Sequence, residues 1–424
     1  MHQRPLRGTF RPPGDKSLSH RVALFSLLAE GTCEVHSYAD CQDCASSLEA
    51  VRRLGGTAEP SGAAWRLRGA GGRLRSGVDI DCGNSGTTMR LLQGILAGQD
   101  GTWRLDGDDS LRRRPMERVA GPLRQMGARI ETCDGHAPVT VHGARLRGVE
   151  VALPVASAQV KSAILLAGLQ ASGVTRVSEP AASRDHSERL LRAWGAAVES
   201  VGEGVSIRPG RLALPASFTV PGDASGAAFF ICGAVIIPGS AVTASEVLLN
   251  PSRIGWLEVL RGFGATVTST VEREIPEPMG RIHAATAGGL KALEVPAAVA
   301  PNIIDEIPIL AVVATQARGT TRFREVGELR VKECDRLAAI ETELRRFGAA
   351  VRAEGDDLVI DGPTPLRAPG ETCESYGDHR IAMALRIAAQ LCDGPVAIRD
   401  EGCAAVSYPR FAETLAALTA GDGR

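Results

Sequence analysis

The chain has 424 residues, 44% hydrophobic and 23% charged, enough for two or three domains whose cores need no disulfide or structural metal to fold. Its 48 Lys and Arg balance 49 Asp and Glu, so it lacks the basic excess of a general nucleic-acid binder. The N-terminus has no apolar signal core, and the longest apolar run, Ala227 to Ile237, has 11 residues against the roughly 20 of a bilayer span. Ten scattered cysteines read as reduced thiols, so a cytoplasmic protein without membrane or nucleic-acid partners is expected.

In chain order, Pro13-Gly-Asp-Lys-Ser opens an Ala/Leu-rich helix whose polar start is Asp15, and a β-branched stretch, Thr32 to Val35, follows. Cys33, His36, Cys41 and Cys44 have a zinc-like spacing. No second pair follows Cys41-x-x-Cys44, so the pair is expected to open a helix rather than hold a metal. Further helices with polar starts are expected at Asn84, Ser157, Asp223, Asp305 and Asp378. A second set of helices ends in glycine at Gly55, Gly127, Gly195, Gly264 and Gly348, and carries charges on one face, such as Glu188, Arg189 and Arg192. Lys332 and Arg336, four residues apart, are expected on one helical face.

These signatures repeat. The segment from Pro221 restates the one from Pro13 at an offset of 221 − 13 = 208 residues, close to half the chain. The polar starts are separated by 69, 73, 66, 82 and 73 residues, and 424/6 is about 71. The pattern therefore predicts six copies of one α/β unit in two groups of three. Each copy has a buried capped helix, a short strand, an exposed amphipathic helix ending in glycine, and one or two further strands.

Buried helices with capped starts present free N–H groups and partial positive charge, which attract phosphate and carboxylate. Lys16, Arg21, Arg114, Lys161 and Arg380 lie at or near these starts, the Lys332 and Arg336 pair adds two more cations, and arginine forks suit planar oxyanions. Small polyanionic substrates are expected. The phosphate-loop pattern G-x-x-x-x-G-K and the dinucleotide pattern G-x-G-x-x-G after a strand are both missing. His20 and His379 follow polar turns, and each can serve as a base, orient an anion or cap a helix. Asp305 and Glu333 are the acid–base candidates. A cap and a structural ion pair remain open for them.

The segments PGDKSLSHR (13–21), GNSGTT (83–88), RRRPM (112–116), ASAQVKSA (156–163), SRDHSE (183–188), IIDEIPILA (303–311), LRVKECDRL (329–337) and YGDHRIAM (376–383) together resemble the EPSP synthase family, the 3-phosphoshikimate 1-carboxyvinyltransferases. The resemblance runs the full length of the chain. It implies a two-domain inverse α/β barrel of six βαβαββ repeats, three per domain. A discontinuous domain of 1–13 and 224–424 would surround an inserted domain of 14–223, with the active site in the cleft between them. It implies transfer of the enolpyruvyl group of phosphoenolpyruvate to the 5-hydroxyl of shikimate 3-phosphate, without metal or organic cofactor, by a monomer.

Residue by residue, the resemblance assigns shikimate 3-phosphate to Lys16, Ser17, Arg21, Ser157, Ala158, Gln159, Arg184, Asp305 and Lys332. It assigns phosphoenolpyruvate to Lys16, Asn84, Gly86, Arg114, Gln159, Arg336 and Arg380. Asp305 is the expected base, with Lys332 holding the hydroxyl and Glu333 or Lys16 as the acid. Val406 stands where some members have a lysine near phosphoenolpyruvate, and Leu91 where some have a proline. Gly107 to Pro115 lacks the cysteine of the related UDP-N-acetylglucosamine carboxyvinyltransferases.

Overall fold

A computed structural model describes residues 4–286 and 288–420. The chain folds as two compact units, one of Met1–Pro13, Pro221–Glu274 and Pro278–Arg424, the other of Gly14–Val220 and Ile275–Glu277.

One sheet pattern recurs. In the second unit, strand Asp79–Asp81 leads through helix Gly86–Ala97 to the parallel strand Thr102–Asp106; after helix Glu117–Gln125, Arg129–Cys133 and His136–His142 close the sheet as a hairpin. A parallel pair needs a crossover connection, and the buried helix supplies it. Strand Glu150–Ala152, helix Ala158–Gly168, strand Thr175–Ser178, helix His186–Ala193 and the hairpin of Val198–Val201 with Gly204–Ile207 repeat the pattern. In the remaining four-stranded sheet of this unit, the parallel edge strand, Ser217–Thr219, comes from the far end of the segment and pairs with Thr32–His36.

The first unit contains two more such sheets. One is Arg7–Phe10, Ala241–Leu248, Met279–Ala285 and Val267–Arg273; the other is Glu294–Val295, Gly319–Phe323, Asp357–Gly362 and Ala350–Glu354. The sixth repeat departs from the sequence expectation. Cys373–Glu374 and Ile398–Arg399 form a two-stranded sheet, and the chain then continues into a 3₁₀ turn, Glu401–Val406, and helix Phe411–Ala420 instead of a hairpin.

The two helix classes follow from composition. Helix Ala224–Ile236 is uncharged, and every residue but Gly226 is buried. Helix Ile307–Ala314 is buried throughout. The hydrophobic core of the first unit is built on these two, with Trp256, Phe263, Phe323 and Phe347 wholly buried around them. Helix Gln42–Arg53 buries only Cys44, Ser47, Leu48, Ala50 and Val51, its inner stripe. The five glycines that end the second-class helices all have positive φ, from 87° to 105°. That conformation costs glycine little and other residues more. Gly94 serves closeness instead: a Cβ there would lie 2.1 Å from the Ala163 carbonyl oxygen of the neighbouring helix.

Two expected starts move by one residue, and one expected pairing fails. Ser85, not Asn84, caps its helix by accepting from the Thr88 N–H at 3.1 Å. Helix Ile307–Ala314 begins after Glu306, so Asp305 lies in the turn between it and helix Ala300–Ile303. Lys332 and Arg336 do not share a helical face. Lys332 has extended backbone after the 3₁₀ turn Gly327–Val331, and Asp335 caps a new helix that starts at Arg336. No single helix among the described residues is long and apolar enough to cross a membrane.

Candidate active site

The second unit gathers the starts of the Lys16, Gly86 and Ala158 helices. Lys16 forms an ion pair with Asp43. Burial alone would lower the lysine pKa, but the Asp43 charge and hydrogen bond more than offset it and hold Lys16 protonated. Behind it lies a chain of buried polar groups. His20 Nδ1 meets the Ser47 hydroxyl at 2.8 Å, Ser47 meets Thr88 at 2.7 Å, and Thr88 meets the Ser85 cap at 2.7 Å. Burial, with Lys16 nearby, pushes His20 down to about 3, so its ring is neutral.

Arg21 points inward. Its guanidinium donates to Ser187 at 2.8 Å, Ser162 at 3.0 Å and the Ser17 carbonyl at 3.0 Å. Burial lowers its pKa to about 10, and Arg184 is close enough to add repulsion. Ser157 caps the Ala158 helix, and its N–H donates to Glu179 at 2.7 Å. Glu179 also receives Lys161, which bridges to Glu188, each at 2.8 Å. Lys161 is thus spent on a buried ion triad. Ser17, Ser157, Ala158, Gln159 and Arg184 are half-buried.

Around Gly86 the charge is unbalanced. Arg114 donates to Asn84 Oδ1 at 2.7 Å and, more loosely, to Ser110 at 3.4 Å. The Asn84 amide in turn donates to Asp108 at 2.8 Å. Arg90 donates to Gln159 and to the Pro115 carbonyl, and Gln159 donates to Thr87 at 2.9 Å. These bonds of Arg90 and Arg114 all go to neutral groups. Burial, then the charges of Arg118 and Arg114, drive Arg90 down to about 9. A Cβ on Gly86 would sit 3.2 Å from Arg90 Nη1 and 3.4 Å from Arg114 Nη1. An oxyanion at this glycine would meet two guanidinium groups.

The first unit places Asp305, Glu333, Arg336 and Arg380 together. Arg336 is 1% exposed and donates to Asp378 at 2.8 Å, to Glu333 at 2.6 Å and to Asp305 at 3.4 Å. Arg380 donates to the Asp305 carbonyl at 3.0 Å and lies 3.7 Å from its carboxylate. Burial works to raise the Glu333 pKa, but Arg336 above all, with His379 and Arg380, outweighs it and holds the carboxyl ionised, near 2. Glu306, next to Asp305 in the chain, is pushed the other way, by burial and then by Asp305. Lys332 pairs with Glu328, one turn back. Asp378 caps its helix and takes the Arg380 N–H at 2.8 Å, so one carboxylate fixes both arginines.

A family model described as EPSP synthase (3-phosphoshikimate 1-carboxyvinyltransferase) matches residues 1–415 of this chain. The chain belongs to the EPSP synthase family. Members transfer the enolpyruvyl group of phosphoenolpyruvate to shikimate 3-phosphate in aromatic amino-acid biosynthesis. The chain is 43% identical to a 3-phosphoshikimate 1-carboxyvinyltransferase of Brevibacillus brevis over 98% of both proteins. It is 48% identical to one of Anaeromyxobacter over 97% of this chain and 93% of that one. The solved EPSP synthase of Acinetobacter baumannii is 40% identical, covers 97% of this chain, 95% of its own, and superposes with a TM-score of 0.89.

Sequence reasoning missed Asp43, Thr87 and Arg90 in the second unit, and it read Asp378 in the first only as a helix start, not as the partner of Arg336. Arg90 left one readable signal, because it stands four residues after Gly86 and so returns to the same helical face. Asp43 left none, since its ion pair with Lys16 exists only in the folded chain.

Proposed function

We propose that this protein transfers the enolpyruvyl group of phosphoenolpyruvate to the 5-hydroxyl of shikimate 3-phosphate, releasing phosphate and forming 5-enolpyruvylshikimate 3-phosphate. The observation that carries the proposal is the uncompensated pair Arg90 and Arg114 at Gly86, in a chain that matches the family over its whole length. A buried guanidinium with only neutral hydrogen-bond partners is costly unless an anion completes it.

In this reading Asn84, Gly86, Arg114, Gln159, Arg336, Arg380 and Lys16 bind phosphoenolpyruvate. Lys16, Ser17, Arg21, Ser157, Ala158, Gln159, Arg184, Asp305 and Lys332 bind shikimate 3-phosphate. The 5-hydroxyl loses its proton to Asp305 as its oxygen bonds to the central carbon of phosphoenolpyruvate, and Lys332 steadies that oxygen. The methylene carbon gains a proton. Lys16 supplies it, since Asp43 keeps the ammonium charged. Glu333, held ionised by Arg336, is suited to accept a proton rather than give one. It takes the methyl proton when the tetrahedral intermediate expels phosphate. General acid–base steps of this kind typically contribute ~10²–10⁴-fold each.

The reading extends to an inverse α/β barrel of six repeats, three in a domain of 1–13 and 224–424 and three in a domain of 14–223. It also extends to a cytoplasmic monomer that works without metal or organic cofactor. The test is the product's structure. Proton NMR of the mixture with both substrates is expected to show vinylic protons on an enol ether at carbon 5. Consumption of phosphoenolpyruvate without that ether would overturn the assignment.

A further inference from the structure

Cys41 and Cys44 belong to none of the chemistry above, yet they adjoin Lys16. Cys41 is the extended cap residue of helix Gln42–Arg53, and Cys44 lies in its first turn. With Ala39 they form a small buried cluster, against which Tyr38 packs. Asp43, between them in sequence, holds the Lys16 ammonium, and the Cys44 thiol donates to the Lys16 carbonyl at 3.6 Å. One helical turn therefore carries both a dithiol and the groups that position Lys16. No group of three His, Cys, Asp or Glu side chains placed to hold a metal ion occurs among the described residues.

We propose that Cys41 and Cys44 are a modification site at which a hydroperoxide oxidises the dithiol to a disulfide, and that the bridge displaces the groups holding Lys16. The consequence for Lys16 rests on the function proposed above; the oxidation does not. Cys41 is 8% exposed and Cys44 0%, which favours a small oxidant and makes Cys41 the first target. The Cys41 pKa is lowered chiefly by the adjoining Cys44 side chain; burial opposes this and the Lys16 charge assists it.

The Cys41 sulfur attacks one peroxide oxygen, the O–O bond breaks, and an alcohol or water leaves with a sulfenic acid formed. The Cys44 sulfur then attacks the Cys41 sulfur, and the hydroxyl departs as water with the Cys44 proton. Two thiols lose two electrons in all, and one peroxide gains them. Side chains three apart on a helix have Cβ atoms about 5–6 Å apart, against about 3.5–4.5 Å in a disulfide, so the bridge tightens this turn. Cys44 also loses the hydrogen it donates to Lys16.

The test treats the full-length protein with hydrogen peroxide, alkylates the remaining thiols and cleaves before aspartates, which cuts between the two cysteines at Asp43. Fragments 40–42 and 43–78 carry Cys41 and Cys44 as their only cysteines, so only this disulfide joins them. Joined fragments are expected, together with a transfer rate lower by about two- to tenfold, the scale of one buried hydrogen bond. Dithiothreitol should restore the rate. Cys41→Ser should keep near the untreated rate and resist peroxide, and Cys44→Ser, whose hydroxyl can still donate to Lys16, serves if that variant does not fold. Unjoined fragments after exposed Cys133 has been oxidised would overturn the site. Joined fragments with an unchanged rate, or equal slowing in the serine variants, would overturn the link to Lys16. A reduced protein without transfer activity would count against the proposed function alone, because the joined fragments are read by mass.

Discussion

Asp305 owes its place to two arginines. Arg336 and Arg380 both reach it from the starts of neighbouring helices, which leaves the carboxylate fixed in a turn rather than spent on a cap. Asp305→Ala is expected to cut turnover by ~10²–10⁴-fold with modest change in KM for either substrate, measured by steady-state phosphate release. Near-normal turnover would remove Asp305 from proton transfer. Arg336 has a structural duty as well. It is buried among Asp305, Glu333 and Asp378, so Arg336→Met strands carboxylates without their counter-charge. A stability loss of about 3–5 kcal/mol is expected from urea unfolding. His20 sets a pH dependence. Its folded pKa of about 3 lies below the usual 6.5, so the unfolded chain binds the extra proton. Its contribution to stability is complete above pH 6.5 and is lost as pH falls toward 3, at about 1.4 kcal/mol per pH unit. His20→Asn should remove that part of the acid slope; an unchanged slope would show that other groups cause it.

At the scale of elements, a buried helix start is the recurring device. Gly86→Ala tests it, since the new methyl would crowd Arg90 and Arg114 while leaving the Ser85 cap in place. The expected result is a raised KM for phosphoenolpyruvate with little change in that for shikimate 3-phosphate. Equal changes would argue against the assignment of this turn. The element pattern was legible in the sequence where backbone chemistry leaves a mark. Gly55, Gly127, Gly195, Gly264 and Gly348 all end helices with positive φ, a demand that glycine meets at least cost. Starts were less legible, because several polar residues compete for the cap. The Asn84 side chain is taken by Arg114 and Asp108, which leaves the cap to Ser85. Asp335 caps a new helix after Lys332, and no sequence spacing separated that break from a continuous helical face.

For the molecule as a whole, a net charge of −1 hides strong local charge. Lys16, Arg90, Arg114, Arg336 and Arg380 lie far apart in the chain, and in each unit the fold collects its share at helix starts. The repeat period revealed that plan because five four-stranded sheets share one spatial arrangement, a parallel edge strand beside a strand that pairs with a hairpin. The sixth escaped it because the final segment forms a helix where the others form a hairpin. Two ion pairs, Asp43 with Lys16 in the second unit and Asp378 with Arg336 in the first, were not legible, since each is fixed by tertiary contact alone. The most direct measurement is phosphate release by the purified, reduced protein, with a chelator present, given phosphoenolpyruvate and shikimate 3-phosphate singly and together. Release that requires both substrates is the expected result. No release from folded protein, or release from phosphoenolpyruvate alone, would contradict it.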